Sequence, residues 1–236
     1  MAESSFPPDG LAVIIGASGG IGAALLTRLE ASGHFAKVIG LSRHSAPPLD
    51  LTDEASIKAA AKAIGQHDHP LRLVIDATGF LHGNGFMPEK SLRQLDPAHM
   101  AHAFAINTIG PALLMKHLLP LLPKEGKSVF TTLSARVGSI GDNRLGGWHS
   151  YRASKAALNQ FVRCAAIELA RSKPDAICVA LHPGTVDTPL STPFAKAGLD
   201  VRPPELAAKE IVEVIEGLQA SDSGGFFDHK GLAIGW

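Results

Sequence analysis

The chain has 236 residues, and 22 lysines and arginines balance 22 aspartates and glutamates, so the formal net charge is zero. This length suits one α/β domain, residues 1–236, and the neutrality argues against nucleic acid or an anionic membrane as a partner. The two cysteines lie in apolar stretches, and neither a leader-like N-terminus nor a bilayer-length apolar run is evident. We therefore expect a cytoplasmic protein. His67 and His69 form a His-x-His pair, which offers too few ligands for a metal site, so no metal is expected.

Short apolar runs alternate with segments of helical period along the chain. The predicted strands are Leu11–Ile15, Lys37–Leu41, Leu71–Ala77, Val129–Leu133, Ile177–Leu181 and Gly225–Asp228. The predicted helices are one that carries Ile21, Leu25 and Leu29 on a single face and stops at Gly33, then Pro97–Leu122, Ser150–Arg171 and Pro204–Leu218. Apolar strands that are each followed by a helix predict a parallel sheet covered on both faces. The fold class is therefore α/β, a single doubly wound Rossmann-type domain whose parallel sheet has about seven strands.

A glycine-rich loop, GASGGIG at residues 16–22, joins the first strand to the first helix. Glycines let backbone N–H groups approach a pyrophosphate, and the N-terminus of the helix favours negative charge there. No Lys-Ser or Lys-Thr pair follows the loop, which disfavours a nucleotide-hydrolysing P-loop. The loop indicates dinucleotide binding, with a plain strand-to-helix turn as the alternative.

The second strand runs into Ser42 and Arg43. An Asp or Glu at this place would accept hydrogen bonds from the adenosine ribose, whereas a cation accommodates a 2′-phosphate. The pair therefore favours NADP(H) over NAD(H), although NAD(H) stays possible if Arg43 is an ordinary surface residue. Asp50, a little further on, offers a carboxylate to an adenine amino group.

Tyr151 and Lys155 are four residues apart at the start of a predicted helix, so their side chains leave one face one turn apart. A nearby ammonium stabilises a phenolate and lowers the pKa of the tyrosine, which makes proton exchange with a substrate oxygen practicable. The spacing alone also fits an ordinary amphipathic pair. The glycine loop, Ser134 at a strand end and Asn107 within a helix favour the catalytic interpretation.

Asn107 lies four residues before Pro111 in the long predicted helix. A proline has no N–H to donate to the carbonyl of residue 107, so the helix is expected to loosen at Asn107 and to leave that carbonyl free to hold water. Such a water would link Lys155 to solvent as a proton relay. A kink that only fits the helix around the sheet is the alternative.

Taken together, these segments resemble the short-chain dehydrogenase/reductase family in its compact single-domain form. The resemblance runs from Leu11 to the C-terminus through the glycine loop, NTIG at 107–110, Ser134, the Tyr151-to-Lys155 spacing and Pro183-Gly184. It extends to the C-factor-like subgroup through SARVGSI at 134–140, YRASKAALN at 151–159 and LHPGTVDT at 181–188.

The resemblance implies four catalytic roles. Tyr151 is expected to act as general acid in carbonyl reduction and as base in alcohol oxidation, and Lys155 to lower its pKa and hold the nicotinamide ribose. Ser134 is expected to stabilise charge on the substrate oxygen, and Asn107 to complete the relay. The implied cofactor-binding residues are Gly16, Ser18, Gly20, Ile21, Gly22, Ser42, Arg43, Asp50, Leu51, Ala77, Thr78, Gly79, Asn107, Tyr151, Lys155, Pro183, Gly184, Val186 and Thr188. A homodimer or homotetramer is implied as well.

The chain departs from the family's pattern at two places. The segment Asp76-Ala77-Thr78-Gly79 replaces the usual Asn-Asn-Ala-Gly, which puts a carboxylate near the adenosine site. Ser134 stands 17 residues before Tyr151, several more than is usual in the family. The family's serine also stands three residues before a glycine, whereas Ser134 stands four before Gly138, so strict register places Ala135 in the catalytic position. Ser139 is then the alternative catalytic serine.

Two loops are expected to border the substrate cleft, residues 141–149 and residues 185–204. In the first, Arg144 is a candidate contact for an anionic substrate and Trp148 a candidate apolar wall, whereas a surface flap or subunit contact is the alternative. The leading function is NADP(H)-dependent hydride transfer between the nicotinamide and a small-molecule carbonyl or secondary alcohol. The alternative is a dinucleotide-binding regulatory or signalling protein with vestigial turnover. A nucleotide-sugar dehydratase or epimerase usually needs a larger substrate domain.

Overall fold

Six parallel strands form the central sheet of the computed structural model, which describes residues 4–194 and 200–236. In chain order they are β1 (Leu11–Ile15), β2 (Lys37–Leu41), β3 (Leu71–Asp76), β4 (Ser128–Leu133), β5 (Ala176–His182) and β8 (Phe226–Asp228). Strands β6 (Thr185–Val186) and β7 (Val201–Arg202) lie between β5 and β8 in the chain and form a separate two-stranded sheet. The spatial order is β2-β1-β3-β4-β5-β8, so the chain reverses direction across the sheet between β1 and β3. In sheets of this kind ligands bind in the crevice outside the carboxyl ends of the strands at that reversal.

Helices cover both faces of the sheet. They are α1 (Gly20–Ser32), α2 (Glu54–Ile64), α3 (Pro97–Phe104), α4 (Gly110–Leu118), α5 (His149–Leu169) and α6 (Pro204–Gly217). Successive β1 residues point to opposite faces: Val13 joins the core formed with α2, α4 and α5, whereas Ile14 joins the core formed with α1 and α6. Burial on both sides explains why β1, with the sequence LAVII, consists entirely of apolar residues.

The α/β prediction is confirmed, and the sheet has six strands in the described residues where about seven were expected. Residues 42–53, which follow β2, form turns and bends. The short parallel pair β6 (Thr185–Val186) and β7 (Val201–Arg202) was not predicted. Helix α2 was also missed; it begins where the Asp53 carboxylate accepts a hydrogen bond from Ala55 N–H at 2.9 Å.

The long helix predicted over Pro97–Leu122 is four helical segments, the last of them a 3-10 turn at Leu119–Leu121. A π-type segment, Ala105–Ile109, separates α3 from α4, and Gly110 N–H bonds to the carbonyl of Ala105 five residues back. Pro111 removes the N–H that an α-helix would donate to residue 107, so the change of hydrogen-bond pattern falls at the predicted place. Among the described residues, no helix has the length and apolar character needed to cross a membrane.

Candidate active site

The glycine loop is a tight turn that requires glycine at particular positions. Gly16 has φ +83°, and a Cβ on Gly22 would collide with the Gly16 carbonyl oxygen. The N–H groups of Gly16 and Ala17 bond to the Leu41 carbonyl at 2.9 and 3.1 Å, which ties the loop to the end of β2. Helix α1 then starts at Gly20 with no side-chain cap and no acidic residue in its first turn. Its free N–H groups fit a dinucleotide pyrophosphate, so the residues present suit the cofactor that the loop predicts.

Ser42, Arg43 and Asp50 come together beyond the carboxyl end of β2. Arg43 is exposed, and Ser42 is half-buried with its hydroxyl accepting from His44 N–H at 3.1 Å. The Asp50 carboxylate accepts from the Thr52 hydroxyl at 2.7 Å and from Thr52 N–H at 2.8 Å. These hydrogen bonds, assisted by the Arg43 charge, hold the pKa of Asp50 below its usual range. The structure therefore brings the three predicted adenosine-side residues to one place; Leu51 beside them is buried.

Residues 77–79 pass directly over the glycine loop. A Cβ on Gly16 would lie 3.1 Å from both the Ala77 carbonyl oxygen and the Thr78 methyl carbon. The preceding Asp76 is fully buried, and its carboxylate accepts from the hydroxyls of Thr78 and Thr132 at 2.5 and 2.6 Å. Burial raises the pKa of Asp76 despite these hydrogen bonds. The carboxylate that departs from the family pattern is thus held between β3 and β4 by threonine hydroxyls.

Asn107 is fully buried in the π-type segment. Its amide Nδ2 donates to the Phe80 carbonyl at 2.8 Å and to the Ser154 hydroxyl at 3.1 Å, while Oδ1 accepts from Phe80 N–H at 2.8 Å. The side chain therefore fastens the segment after β3 to helix α5. A Cβ on Gly79 would lie 3.8 Å from both Asn107 Oδ1 and Lys155 Nζ, so both predicted relay residues lie beside a predicted cofactor residue.

Tyr151 and Lys155 lie in the first two turns of α5. Lys155 is 2% exposed, and its Nζ donates to the Leu133 carbonyl at 2.7 Å. Burial lowers the pKa of Lys155 to about 8, with the Asp76 charge acting in the opposite direction. Burial raises the pKa of Tyr151 to about 12. In this arrangement the pKa of Tyr151 is therefore above its ordinary value. The sequence had led us to expect the opposite direction, because a nearby Lys155 ammonium would lower that pKa.

The two candidate serines are both buried and hydrogen-bonded. Ser134 follows β4, and its hydroxyl donates to Asn159 Oδ1 on α5 at 2.7 Å. Ser139 accepts from Asp142 N–H at 3.2 Å, which holds the beginning of the predicted cleft loop. Ala135, the residue in strict family register, lies between them and is also buried. Asn159 was not singled out from the sequence, because only the packing of α5 on β4 reveals its partner.

The Pro183-to-Thr188 segment follows β5 and faces the glycine loop. A Cβ on Gly20 would lie 2.8 Å from the Thr188 methyl carbon, which shows how closely the two predicted cofactor segments approach. Gly184 has φ +76°, and the Arg202 guanidinium packs against it where any side chain would stand. Val186 is buried, and Arg202 is fixed by Glu210 Oε2 at 2.5 Å. Residues 195–199 of the predicted cleft loop 185–204 lie outside the described residues.

The other cleft loop is anchored by Glu89, which sequence reasoning missed. Its carbonyl accepts from Trp148 N–H at 2.5 Å, and its carboxylate accepts from Ser150 N–H at 3.2 Å and from the Ser150 hydroxyl. His99 Nδ1 lies 3.3 Å from the same carboxylate. Burial acts to raise the pKa of Glu89, but the Ser150 hydrogen bonds outweigh it and hold that pKa below its usual range. Arg144, the candidate anion contact, donates instead to the Gly141 carbonyl of its own loop at 2.9 Å.

Comparison with known proteins identifies the class of this fold and site. The sequence model of a family described as enoyl-(acyl carrier protein) reductase matches residues 17–206. The chain therefore belongs to the short-chain dehydrogenase/reductase family, as its motifs indicated. It is an oxidoreductase acting on CH–OH or C=O groups, which confirms the predicted enzyme class. Among residues 4–194 and 200–236, no group of three or more His, Cys, Asp or Glu side chains is placed to hold a metal ion.

Individual relatives agree with this assignment. The chain is 35% identical to the C-signal protein of Myxococcus xanthus over 147 residues, which is 62% of this chain and 84% of that protein. It is 33% identical over 190 residues to the 1-hydroxy-2-glutathionyl-2-methyl-3-butene dehydrogenase of Rhodococcus sp. (strain AD45), covering 80% of this chain and 79% of the relative. The NADPH-bound carbonyl reductase from chicken fatty liver superposes with a TM-score of 0.83 at 28% identity, covering 97% and 99% of the two chains.

Proposed function

We propose that this protein transfers hydride between NADP(H) and a small-molecule carbonyl or secondary alcohol, with Tyr151 as general acid/base. The observation that carries the proposal is the position of Gly79, where an added Cβ would lie 3.8 Å from both Asn107 Oδ1 and Lys155 Nζ. Gly79 continues the segment that crosses the glycine loop. The relay residues and the dinucleotide cradle are therefore parts of one crevice, at the point where ligands bind in this fold.

The cofactor supplies the hydride, and the protein supplies orientation and the proton. The first turn of α1 would hold the pyrophosphate, residues 77–79 and Asp50 the adenosine, and residues 183–188 the nicotinamide amide. The superposed chicken carbonyl reductase contains NADPH, which supports a nicotinamide dinucleotide here. In carbonyl reduction the carbon gains the hydride and the oxygen gains the Tyr151 proton, leaving the oxidised nicotinamide.

Tyr151 needs help to act near neutral pH, because burial raises its pKa to about 12. A protonated Lys155 close to the phenolic oxygen would lower that pKa. The Lys155 ammonium now donates to the Leu133 carbonyl, and its own pKa of about 8 keeps it largely protonated at neutral pH. Occupation of the ribose site next to Lys155 would orient the ammonium between ribose and phenol. Ser134, or Ser139 in its place, would stabilise the substrate oxygen.

The preference for NADP(H) rests on Arg43. It is exposed beyond β2, and its charge acts on Asp50, so a 2′-phosphate on the adenosine ribose would meet a cation there. NAD(H) would lack that ion pair. Arg43 then accounts for the discrimination between the two dinucleotides.

The predicted homodimer or homotetramer and cytoplasmic location stay predictions. Helix α5 leaves Phe161 and Ile167 about half exposed, at 47% and 49%. Large apolar side chains on one exposed helix suit a contact between copies of the chain.

A dinucleotide-binding regulatory protein with vestigial turnover is the second candidate. One observation favours it: the Ser134 hydroxyl donates to Asn159 and Ala135 occupies the register position, so the substrate-oxygen donor is not in place in this arrangement. Such a protein would bind the dinucleotide through the same glycine loop. In such a protein, Tyr151→Phe would leave both the biological effect and the affinity for the dinucleotide unchanged.

The deciding experiment titrates the purified protein with NADPH and with NADH, following nicotinamide fluorescence and thermal unfolding. Binding to the native state raises apparent stability by mass action. We expect the wild-type protein to bind NADPH more tightly than NADH. The affinity for NADPH should fall by about tenfold or more in Arg43→Ala, because a charge-assisted contact disappears. Arg171→Ala, an exposed arginine at the end of α5, is the matched control. Equal affinity for NADH would overturn the NADP(H) preference, and binding of neither would overturn the proposed function.

A further inference from the structure

Four aromatic rings form a continuous row that starts at Tyr151. The Trp148 ring is 6.2 Å from the Tyr151 ring and 5.1 Å from the Phe194 ring, and the Phe194 ring is 5.4 Å from the His82 ring. All three pairs are edge-to-face, with interplanar angles of 64° to 68°. We call His82, Trp148, Tyr151 and Phe194 the aromatic wall. Its members come from three separate segments of the chain, so only the fold brings them together.

Trp148 is held in this wall by its backbone. Its φ of 50° and ψ of 44° lie in the left-handed region, which is uncommon for a bulky residue and is found where the surroundings impose it. Glu89 imposes it here: its carbonyl accepts from Trp148 N–H and its carboxylate binds Ser150 on the other side of His149. Glu89 is only 2% exposed, so this anchor is shielded from water.

A cavity of about 630 Å³ lies against the wall. Met87, Pro88, Trp148, Pro193 and Phe194 give it apolar and aromatic surface, and Lys90 is among its polar residues. Binding sites for small organic molecules have this size and this mostly apolar lining. The Trp148 ring borders the cavity and also packs edge-to-face on the ring of Tyr151, so the cavity lies one aromatic ring away from the proposed proton donor.

We propose that Trp148 and Phe194 are specificity-determining residues that select carbonyl substrates carrying a flat aromatic group on the carbonyl carbon. The inference rests on the proposed function and names its substrate class. The aromatic group packs against the indole and the Phe194 ring, where edge-to-face and offset contacts add to the burial of apolar area. Binding of this unreactive part holds the carbonyl oxygen beside Tyr151. Glu89 is the positioning residue, since it fixes the Trp148 backbone.

The test compares NADPH-dependent reduction of acetophenone, cyclohexyl methyl ketone and diacetyl by the wild-type protein and variants. The first two ketones differ only in whether the ring is flat and aromatic, and comparing variants cancels their intrinsic reactivity. We expect Trp148→Ala to lower kcat/KM for acetophenone relative to diacetyl by about tenfold, the worth of one lost aromatic pair. The ratio for cyclohexyl methyl ketone should change less. Trp148→Phe should keep most of the preference, and Trp236→Ala, which alters the only other tryptophan, should keep all of it.

The Glu89 variants separate positioning from general structure. Glu89→Gln keeps an oxygen to accept from Ser150 and should retain the acetophenone preference, whereas Glu89→Ala should lose it even at temperatures where the variant remains folded. An acetophenone-to-diacetyl ratio equal in wild type and Trp148→Ala overturns the inference while the proposed function stands. Wild-type reduction of diacetyl without any of acetophenone overturns it as well.

Binding gives a readout that needs no turnover. In Trp236→Phe the only indole left is Trp148, and acetophenone should quench its fluorescence saturably in the presence of NADP⁺. In Trp148→Phe the remaining Trp236 should show only weak, unsaturable quenching. Unsaturable quenching in both variants overturns the inference, even if no ketone is reduced. Saturable quenching at Trp148 without turnover of any ketone overturns the proposed function alone.

Discussion

The carboxylate of Asp76 and the ammonium of Lys155 act on each other inside the protein. Asp76 raises the pKa of Lys155, and Lys155 lowers the pKa of Asp76, in each case against a larger opposite effect of burial. Both side chains are nearly inaccessible, at 0% and 2% exposure, so water screens little of this interaction. A carboxylate at the end of β3 therefore helps to keep the lysine of the candidate site charged.

Replacing Asp76 by Asn should move the alkaline limit of activity to lower pH. Without the Asp76 charge, burial lowers the pKa of Lys155 below about 8, so the lysine loses its proton earlier as the pH rises. The pH profile of kcat/KM for ketone reduction measures the shift. Asp175→Asn, which changes an exposed carboxylate that accepts from Gly126 N–H, should leave the profile where it is. An unchanged profile in Asp76→Asn would show that Asp76 serves only to join β3 and β4.

Deprotonation of Lys155 should stabilise the folded state as the pH rises from about 8 to 10.5. Its pKa is about 8 when folded and 10.5 ordinarily, so in that range the unfolded chain binds more protons than the native one. The Lys155 contribution to the free energy of unfolding then increases with pH, by up to ~3 kcal/mol over the interval, whereas the raised pKa values of Cys178 and Tyr151 act in the opposite direction above about pH 9. Urea unfolding at several pH values measures it, with Lys155→Met as the comparison. Cys178 and Tyr151 titrate in both proteins, so the stability of wild type relative to the variant should rise across the interval; parallel curves would mean that Lys155 titrates near its ordinary value.

Local signals in the sequence were sufficient for the elements that carry the dinucleotide cradle. The apolar run before Gly16 and the four-residue spacing of Ile21, Leu25 and Leu29 correspond to β1 and α1, because burial on one face needs no information from distant residues. Pro111 likewise indicated the altered hydrogen bonding at Asn107, since the missing N–H is a property of one residue.

Contacts between distant segments could not be read in this way. Glu89 looks like a solvated charge in the sequence, and only the docking of its loop on α5 buries it against Ser150, 61 residues later. The pairing of Asp76 with Thr132 depends on the register of β3 and β4, which places the two residues opposite each other. Patterns of residue type and spacing within one segment contain neither relationship.

The choice between Ser134 and Ser139 can be made by matched substitutions. If Ser134 stabilises the substrate oxygen, Ser134→Ala should lower kcat by about 10²-fold, the effect of losing one oxyanion donor. It should also reduce stability, because Asn159 Oδ1 loses a buried donor at 2.7 Å. Asn159→Ala separates the two effects, since it breaks the same hydrogen bond and leaves the Ser134 hydroxyl free for substrate. Ser139→Ala should keep kcat close to wild type; the reverse pattern would assign the role to Ser139.

The state of Tyr151 can be measured directly because it is the only tyrosine in the chain. Tyrosinate absorbance on alkaline titration therefore reports one group, and in the protein without cofactor we expect its pKa above 10, at about 12, because burial favours the neutral phenol. Circular dichroism at each pH checks that the protein is still folded. Addition of NADP⁺ should lower the pKa if it orients Lys155 toward the phenol, and Lys155→Met should abolish that decrease. A cofactor-free pKa at or below 10 would show that Lys155 already acts on Tyr151, whereas no decrease with NADP⁺ would remove Lys155 from the proposed mechanism.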